Sequence, residues 1–277
     1  MNIKMIDQNL VGQSGLSRYI SPNHIFNRDI SDPDVVVFTD QQCFTQEVEN
    51  YSCTKAAWLL EPPIINGDNY IRMYKEGFFR KFDYVYSYNR WLEDKINNFV
   101  FLAHGGTWLR NEDINLWDKN KFCSMIYSNK QWNIGHNQRL RVVNNLKDVG
   151  INFFGTGSSC PIEYKIEGLR DFKFSITMEN EAPPYLFAPN TDYFSEKLLD
   201  CFLTGTFPIY YGNPSIGNYF NEKGMIVFDD PDNILNIYKN LSDKLYTDSL
   251  AAIKENFQLA KKYIHPEDTI HEHINKS

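Results

Sequence analysis

The sequence predicts an α/β protein with two domains, each built on a parallel sheet. Three observations carry that reading. The chain has 277 residues, 42% of them apolar, enough for two modest cores. Short apolar runs alternate with helix-like stretches. A polar stretch, NEDINLWDKNK at 111–121, interrupts the alternation, which then starts again.

In the N-terminal half, apolar runs at Asn2–Met5, Asp34–Phe38, Lys55–Leu60, Phe82–Ser87 and Phe99–Ala103 read as strands. Helix-like stretches lie around Gln46–Tyr51, Asn69–Phe79 and Trp91–Asn97. With the polar stretch as linker, the domains are expected at 1–118 and 119–277, the last helix being free to pack back on the first domain. In the second alternation the strands are Cys123–Tyr127, Ile151–Phe154, Phe172–Met178, Phe207–Tyr211 and Met225–Phe228. The helices fall near Asn137–Lys147, Tyr193–Thr204, Pro231–Leu241 and Tyr246–Ile264.

The most informative segment runs from Phe172 to Gly212. A strand ends in Glu179-Asn180, Ser195 caps a helix beginning Glu196-Lys197, and FPIYYG closes a second strand. This is one crossover unit of a parallel sheet, and ligands bind such sheets outside the carboxyl ends of the strands. Asn180, Tyr193, Glu196 and Lys197 are expected at that end. Their chemistry suits a phosphate-linked sugar: a ring to stack, a carboxylate for paired hydroxyls and an ammonium for a diphosphate. Taken singly, Ser195, Glu196 and Lys197 also fit an ordinary helix start.

Two more residues stand at strand or helix ends. Glu61 follows the strand KAAWLL and precedes Pro62-Pro63, where it could take a proton from an attacking hydroxyl or simply end a strand in solvent. Arg139 stands near the start of the helix after the second domain's first strand, where its guanidinium could fork across a phosphate or form a salt bridge.

Composition excludes other classes. A net charge of −7 argues against a broad nucleic-acid surface. Cys43, Cys53, Cys123, Cys160 and Cys201 show no metal-ligand spacing and read as reduced, mostly buried thiols. Phe154-Gly155-Thr156-Gly157 lacks the third glycine of a dinucleotide fingerprint and reads as a turn. His104-Gly105-Gly106-Thr107-Trp108 is either a glycine-rich wall of the site or a strand-end turn. Asp229-Asp230-Pro231-Asp232 reads as a loop and helix cap instead of a metal site. His271 and His273 are expected in solvent. With neither a signal peptide nor a membrane span in view, the expected location is the cytoplasm, or the chain is an excised catalytic domain.

Met178-Glu179-Asn180, Asp192-Tyr193-Phe194-Ser195-Glu196-Lys197-Leu198 and Gly205-Thr206-Phe207-Pro208-Ile209-Tyr210-Tyr211-Gly212 resemble the signature of the alpha-1,3/4-fucosyltransferases, glycosyltransferase family 10. Arg139, Arg141 and Leu146 match the family's R-x-R-x-x-x-x-L pattern. The resemblance covers Asn137 to about Asp232. It implies two Rossmann-like domains facing across a cleft (the GT-B architecture), with the donor held mainly by the second. It also implies inverting, metal-independent transfer of L-fucose from GDP-fucose to a hydroxyl of an N-acetylglucosamine- or glucose-containing glycan, with no cofactor. Glu61 becomes the base, because the family places a glutamate after a similar strand, upstream of one like Phe82-Asp83-Tyr84-Val85-Tyr86-Ser87-Tyr88. Arg139 and Lys197 hold the diphosphate, and Asn180, Tyr193 and Glu196 hold ribose and sugar. The sequence departs from the pattern in a longer loop, Glu181 to Thr191, and at Phe194-Ser195. The alternatives are another GDP- or UDP-sugar donor, or a catalytically silent glycan-binding module.

Overall fold

The computed structural model describes every residue except 9, 11, 12 and 181–191. By mutual contact the described residues form two compact units. The first holds Met1–Gly106, Asp192, Tyr193 and His265–Ser277; the second holds residues 107–180 and Phe194–Ile264. The boundary expected at 118/119 thus falls inside the second unit. Thr107 already belongs there, because its hydroxyl and the Trp108 backbone nitrogen both donate to Asp200.

In the first unit β1 (Ile3–Ile6), β2 (Val35–Thr39), β3 (Thr54–Leu59), β4 (Tyr84–Ser87) and β5 (Phe99–Phe101) form one parallel sheet in sequential order. All five match expected strands. Both faces are buried, as parallel sheets require: Val35, Val37, Ala56, Trp58 and Tyr86 enter one core, and Val36, Phe38, Ala57, Leu59 and Val85 enter another. Helix α1 (Pro63–Lys75) opens with a turn at Pro63, where proline at the first helical position costs no hydrogen bond, and kinks at Asn66, so its regular part begins close to the expected start. The helix-like stretch at 91–97 yields only a short 3-10 turn, Arg90–Leu92.

The C-terminal helix, Pro266–Lys276, belongs to this unit and buries Ile270 in its core. That corrects the expectation for its two histidines. His273 Nδ1 lies 2.8 Å from the Tyr86 hydroxyl, and the His271 ring stacks on His24 with centroids 3.5 Å apart, so both are half-buried.

The second unit comprises β6 (Lys121–Ile126), α2 (Ile134–Leu146), β7 (Asn152–Phe154), β8 (Phe172–Met178), α3 (Glu196–Phe202), β9 (Phe207–Tyr211) and β10 (Ile226–Val227), followed by α4 (Ile234–Asn240), α5 (Asp243–Asp248) and α6 (Leu250–Ala260). The expected helix at Tyr246–Ile264 is two helices meeting at Ser249. The sheet order is β10-β9-β8-β6-β7, all parallel. Cys123, Met125, Phe174, Ile176, Phe207 and Ile209 build its core with Val142 and Leu146 of α2.

This order positions the site. From β6 the chain leaves through α2 toward β7 at one edge, and from the adjacent β8 it leaves through α3 toward β9 on the other side. The strand order therefore reverses between β6 and β8, and in such sheets the ligand crevice opens at the carboxyl ends of that strand pair.

Candidate active site

Arg139 and Asn180 meet at this reversal. Arg139 lies in α2 after β6 and is 6% exposed. Its guanidinium donates to the Met178 carbonyl at 2.9 Å and to Asn180 Oδ1 at 3.3 Å, both at the carboxyl end of β8. The approach is close enough to demand glycine at 135, where a Cβ would stand 2.1 Å from the Asn180 carbonyl oxygen. Arg141 points elsewhere and forms an exposed pair with Asp232 at 2.5 Å.

Glu179, just before Asn180, is fully buried and accepts from both the backbone nitrogen and the hydroxyl of Ser195, at 2.9 and 2.7 Å. Ser195 caps α3 as expected, accepting from the Lys197 nitrogen at 3.3 Å. Lys197 Nζ lies 3.5 Å from Glu179 and 3.3 Å from Glu196. Phe194, where the resembled family carries a smaller residue, is buried among Tyr219, Phe220 and Tyr263. The longer loop at Glu181–Thr191 lies outside the described residues.

Three groups at the site escaped the sequence reading. His136, one turn before Arg139, is 5% exposed, and its Nδ1 is buried with no hydrogen-bond partner among the described residues. Burial, with the charges of Arg139, Lys130 and Lys197, holds its imidazole down at about 4, so it is neutral near pH 7. Lys197 also reaches this end of β8, since the Glu179 that its Nζ approaches to 3.5 Å directly precedes Asn180. Lys165 is half-buried, its side chain 15% exposed, with Nζ 2.9 Å from Asp200 and 3.4 Å from Glu196. Burial pulls that ammonium down, but the two carboxylates outweigh it and hold it at about 12. Asp200 is the third; burial pushes its carboxyl up against the opposing pull of Lys165 and Thr107. None of the three carries a signal in the sequence, because each acquires its partners only across the fold.

Glu61 and Tyr193 lie in the first unit. Asp40, with a left-handed φ of 43° and 2% exposure, accepts from the backbone nitrogens of Leu60 and Glu61 at 2.9 and 3.1 Å. The Tyr70 hydroxyl donates to the Glu61 carbonyl at 3.0 Å. The turn after β2 thus fixes the backbone of the turn after β3. Tyr193 is 4% exposed, its ring packed 4.9 Å from that of Tyr88 and 5.1 Å from that of His104, in the aromatic group at the ends of β4 and β5. The structure therefore gathers Arg139, Asn180, Glu196 and Lys197 in the second unit and sets Glu61 and Tyr193 in the first.

The features kept apart from the site behave as follows. Gly155 (φ 95°) makes a turn packed on Tyr127. Gly105 and Gly106 have φ of 68° and 80° and end the first unit. Asp230 caps the turn at Pro231–Asn233 through the Asp232 nitrogen. Cys43, Cys123 and Cys201 are buried free thiols, Cys53 is half-buried and Cys160 is exposed. Among the described residues no helix is long and apolar enough to cross a membrane.

Two parallel-sheet units of this order, with a polar cluster at the strand reversal of the second, define the GT-B class of glycosyltransferase folds. The comparisons agree. A crystal structure of an alpha1,3-fucosyltransferase with GDP-fucose superposes with a TM-score of 0.53, at 16% identity, covering 87% of this chain and 80% of that one. The Anabaena protein Alr3699/HepE, in complex with UDP and glucose, superposes with a TM-score of 0.61 at 10% identity, covering 88% and 78%. At these identities the likeness is one of fold. In sequence, the chain is 27% identical over 109 residues to the Helicobacter pylori alpha-(1,3)-fucosyltransferase FucT, 39% of this chain and 20% of that relative. No family model matches. The chain is thus similar to the alpha-1,3-fucosyltransferases both in sequence over this part and in fold.

Proposed function

We propose that this chain is an inverting glycosyltransferase that moves L-fucose from GDP-fucose to a hydroxyl of an N-acetylglucosamine- or glucose-containing glycan. The observation that carries the reading is the meeting of Arg139 and Asn180 at the β6/β8 strand reversal, with Lys197 Nζ 3.5 Å from the adjoining Glu179.

In this reading Arg139 and Lys197 take the two negative phosphates, and Glu196 accepts from the ribose hydroxyls while Asn180 and Tyr193 contribute to ribose and sugar. Glu61 removes the proton of the acceptor hydroxyl as its oxygen bonds to the anomeric carbon. The bond from that carbon to the diphosphate breaks on the opposite face, inverting the centre and releasing GDP with its electron pair. The departing charge is met by the guanidinium and ammonium, held in place before the reaction starts. With the diphosphate assigned to side chains, turnover is expected to survive EDTA; a loss restored by magnesium or manganese would overturn that part.

The test is a panel of GDP-fucose, GDP-mannose and UDP-sugars read by melting temperature and nucleotide release. A ligand at 100 times its Kd stabilises by about 2.7 kcal/mol. Stabilisation by a UDP-sugar and none by GDP or GDP-fucose at millimolar concentration would refute the fucosyl assignment. A uridine donor is the alternative that the fold of the UDP-bound Anabaena protein favours.

A further inference from the structure

Asp200 is fully buried in α3, one turn after Glu196, and accepts from the Thr107 hydroxyl at 2.5 Å and the Trp108 nitrogen at 3.2 Å. This fixed carboxylate holds Lys165 Nζ at 2.9 Å, and the Trp108 ring covers the ammonium at 4.9 Å from its centroid. Lys165 in turn reaches Glu196 Oε1 at 3.4 Å, the same oxygen that Lys197 Nζ approaches to 3.3 Å. Glu196 is thus gripped from the protein interior by a cation that its neighbour Asp200 has already locked in place.

We propose that Lys165 is a positioning residue: by holding the Glu196 carboxylate in one orientation, it makes the nucleotide site require vicinal ribose hydroxyls. A carboxylate selects a diol only while it is charged and aimed, because a mobile or protonated one loses the charge-assisted hydrogen bonds. Among the described residues Lys197, beside the proposed phosphate position, and Lys165, behind it, both contact the carboxylate. This inference rests on the donor reading of Glu196.

The experiment compares the affinity of GDP with that of 2′,3′-dideoxy-GDP by calorimetry, and repeats it with UDP and 2′,3′-dideoxy-UDP. The wild-type protein should prefer the ribonucleotide by about tenfold or more, the value of hydrogen bonds to a charged group. In Lys165→Met the preference should fall toward one through weaker ribonucleotide binding, with dideoxy binding unchanged. Glu196→Gln should give the same loss, and the double variant no further loss. Lys165→Gln, which keeps a donor toward Asp200 without the charge, gives the same reading if the methionine variant does not fold. An undiminished preference in a folded Lys165 variant overturns the inference and leaves the donor reading standing. If the uridine pair binds and the guanosine pair does not, only the guanine donor falls, and the uridine pair decides the role of Lys165. If the wild-type protein binds neither pair, both readings fall.

Discussion

Glu179 and Ser195 are joined by two hydrogen bonds, from the serine's backbone nitrogen at 2.9 Å and its hydroxyl at 2.7 Å, between the end of β8 and the cap of α3. The Glu-Asn and Ser-Glu-Lys parts of the motif therefore close on each other. The buried glutamate fixes the serine, the serine caps the helix, and the helix presents Glu196 and Lys197. Gly212 completes the lock, since a Cβ there would stand 2.9 Å from Glu179 Cγ.

The two arginines of α2 should separate cleanly. Arg139→Ala removes a buried guanidinium from Met178 and Asn180 and should weaken nucleotide binding by about 1.5–3 kcal/mol, the range for hydrogen bonds to charged groups. Arg141→Ala breaks an exposed pair with Asp232 and should change affinity and stability by less than about 1 kcal/mol. Equal losses in calorimetric titrations of the two variants would show that the register assigned to the two arginines is wrong.

Gly135→Ala tests the close approach of α2 to the end of β8. The new methyl would meet the Asn180 carbonyl oxygen and carbon at 2.1 and 2.8 Å, both backbone atoms that no rotamer change can move. Overpacking of this kind costs about 1–3 kcal/mol. The displaced Asn180 should also lower nucleotide affinity. Unchanged melting temperature and affinity would mean that the helix slides freely.

Glu61→Gln should lower turnover by about 10²–10⁴, the contribution of a positioned general base, while leaving nucleotide affinity unchanged because Arg139 and Lys197 belong to the second unit. Single-turnover transfer and nucleotide titration on the same preparation separate the two effects. Transfer near the wild-type rate would reduce Glu61 to a strand-end residue.

Glu267 makes stability depend on pH. It lies fully buried at the start of the C-terminal helix, α7 (Pro266–Lys276), where its Oε1 accepts from the Leu16 nitrogen at 2.5 Å and its Oε2 has no partner among the described residues. Burial pushes its carboxyl up to about 7, against the opposing hydrogen bonds from Leu16 and its own backbone. Between the unfolded value near 4.5 and the folded value near 7, the native state binds more protons than the unfolded one, so stability falls as pH rises through that window. The fall amounts to about 3 kcal/mol at 1.36 kcal/mol per pH unit. In Glu267→Gln it should vanish, making the variant more stable than wild type at pH 8 but not at pH 4.5. Parallel pH dependence of the two proteins in urea melts would count against this account.

The ten strands among the described residues were legible in the sequence, because a strand of a covered parallel sheet reads locally as a short apolar run between polar stretches. The cap at Ser195 and the likeness carried by Asn180, Glu196 and Lys197 were legible for the same reason, since a motif's chemistry lies in contiguous residues. The adjacency of β6 and β8, which places Arg139 on Asn180, was decided only in three dimensions. So were the grip of Lys165 on Asp200, thirty-five positions apart, and the return of α7 to the first unit. The physical reason is common to these cases. Periodicity records whether a residue is buried, but not against which partner, and a charge such as Lys165 or Glu267 takes its protonation state from the burial and the partners that folding supplies.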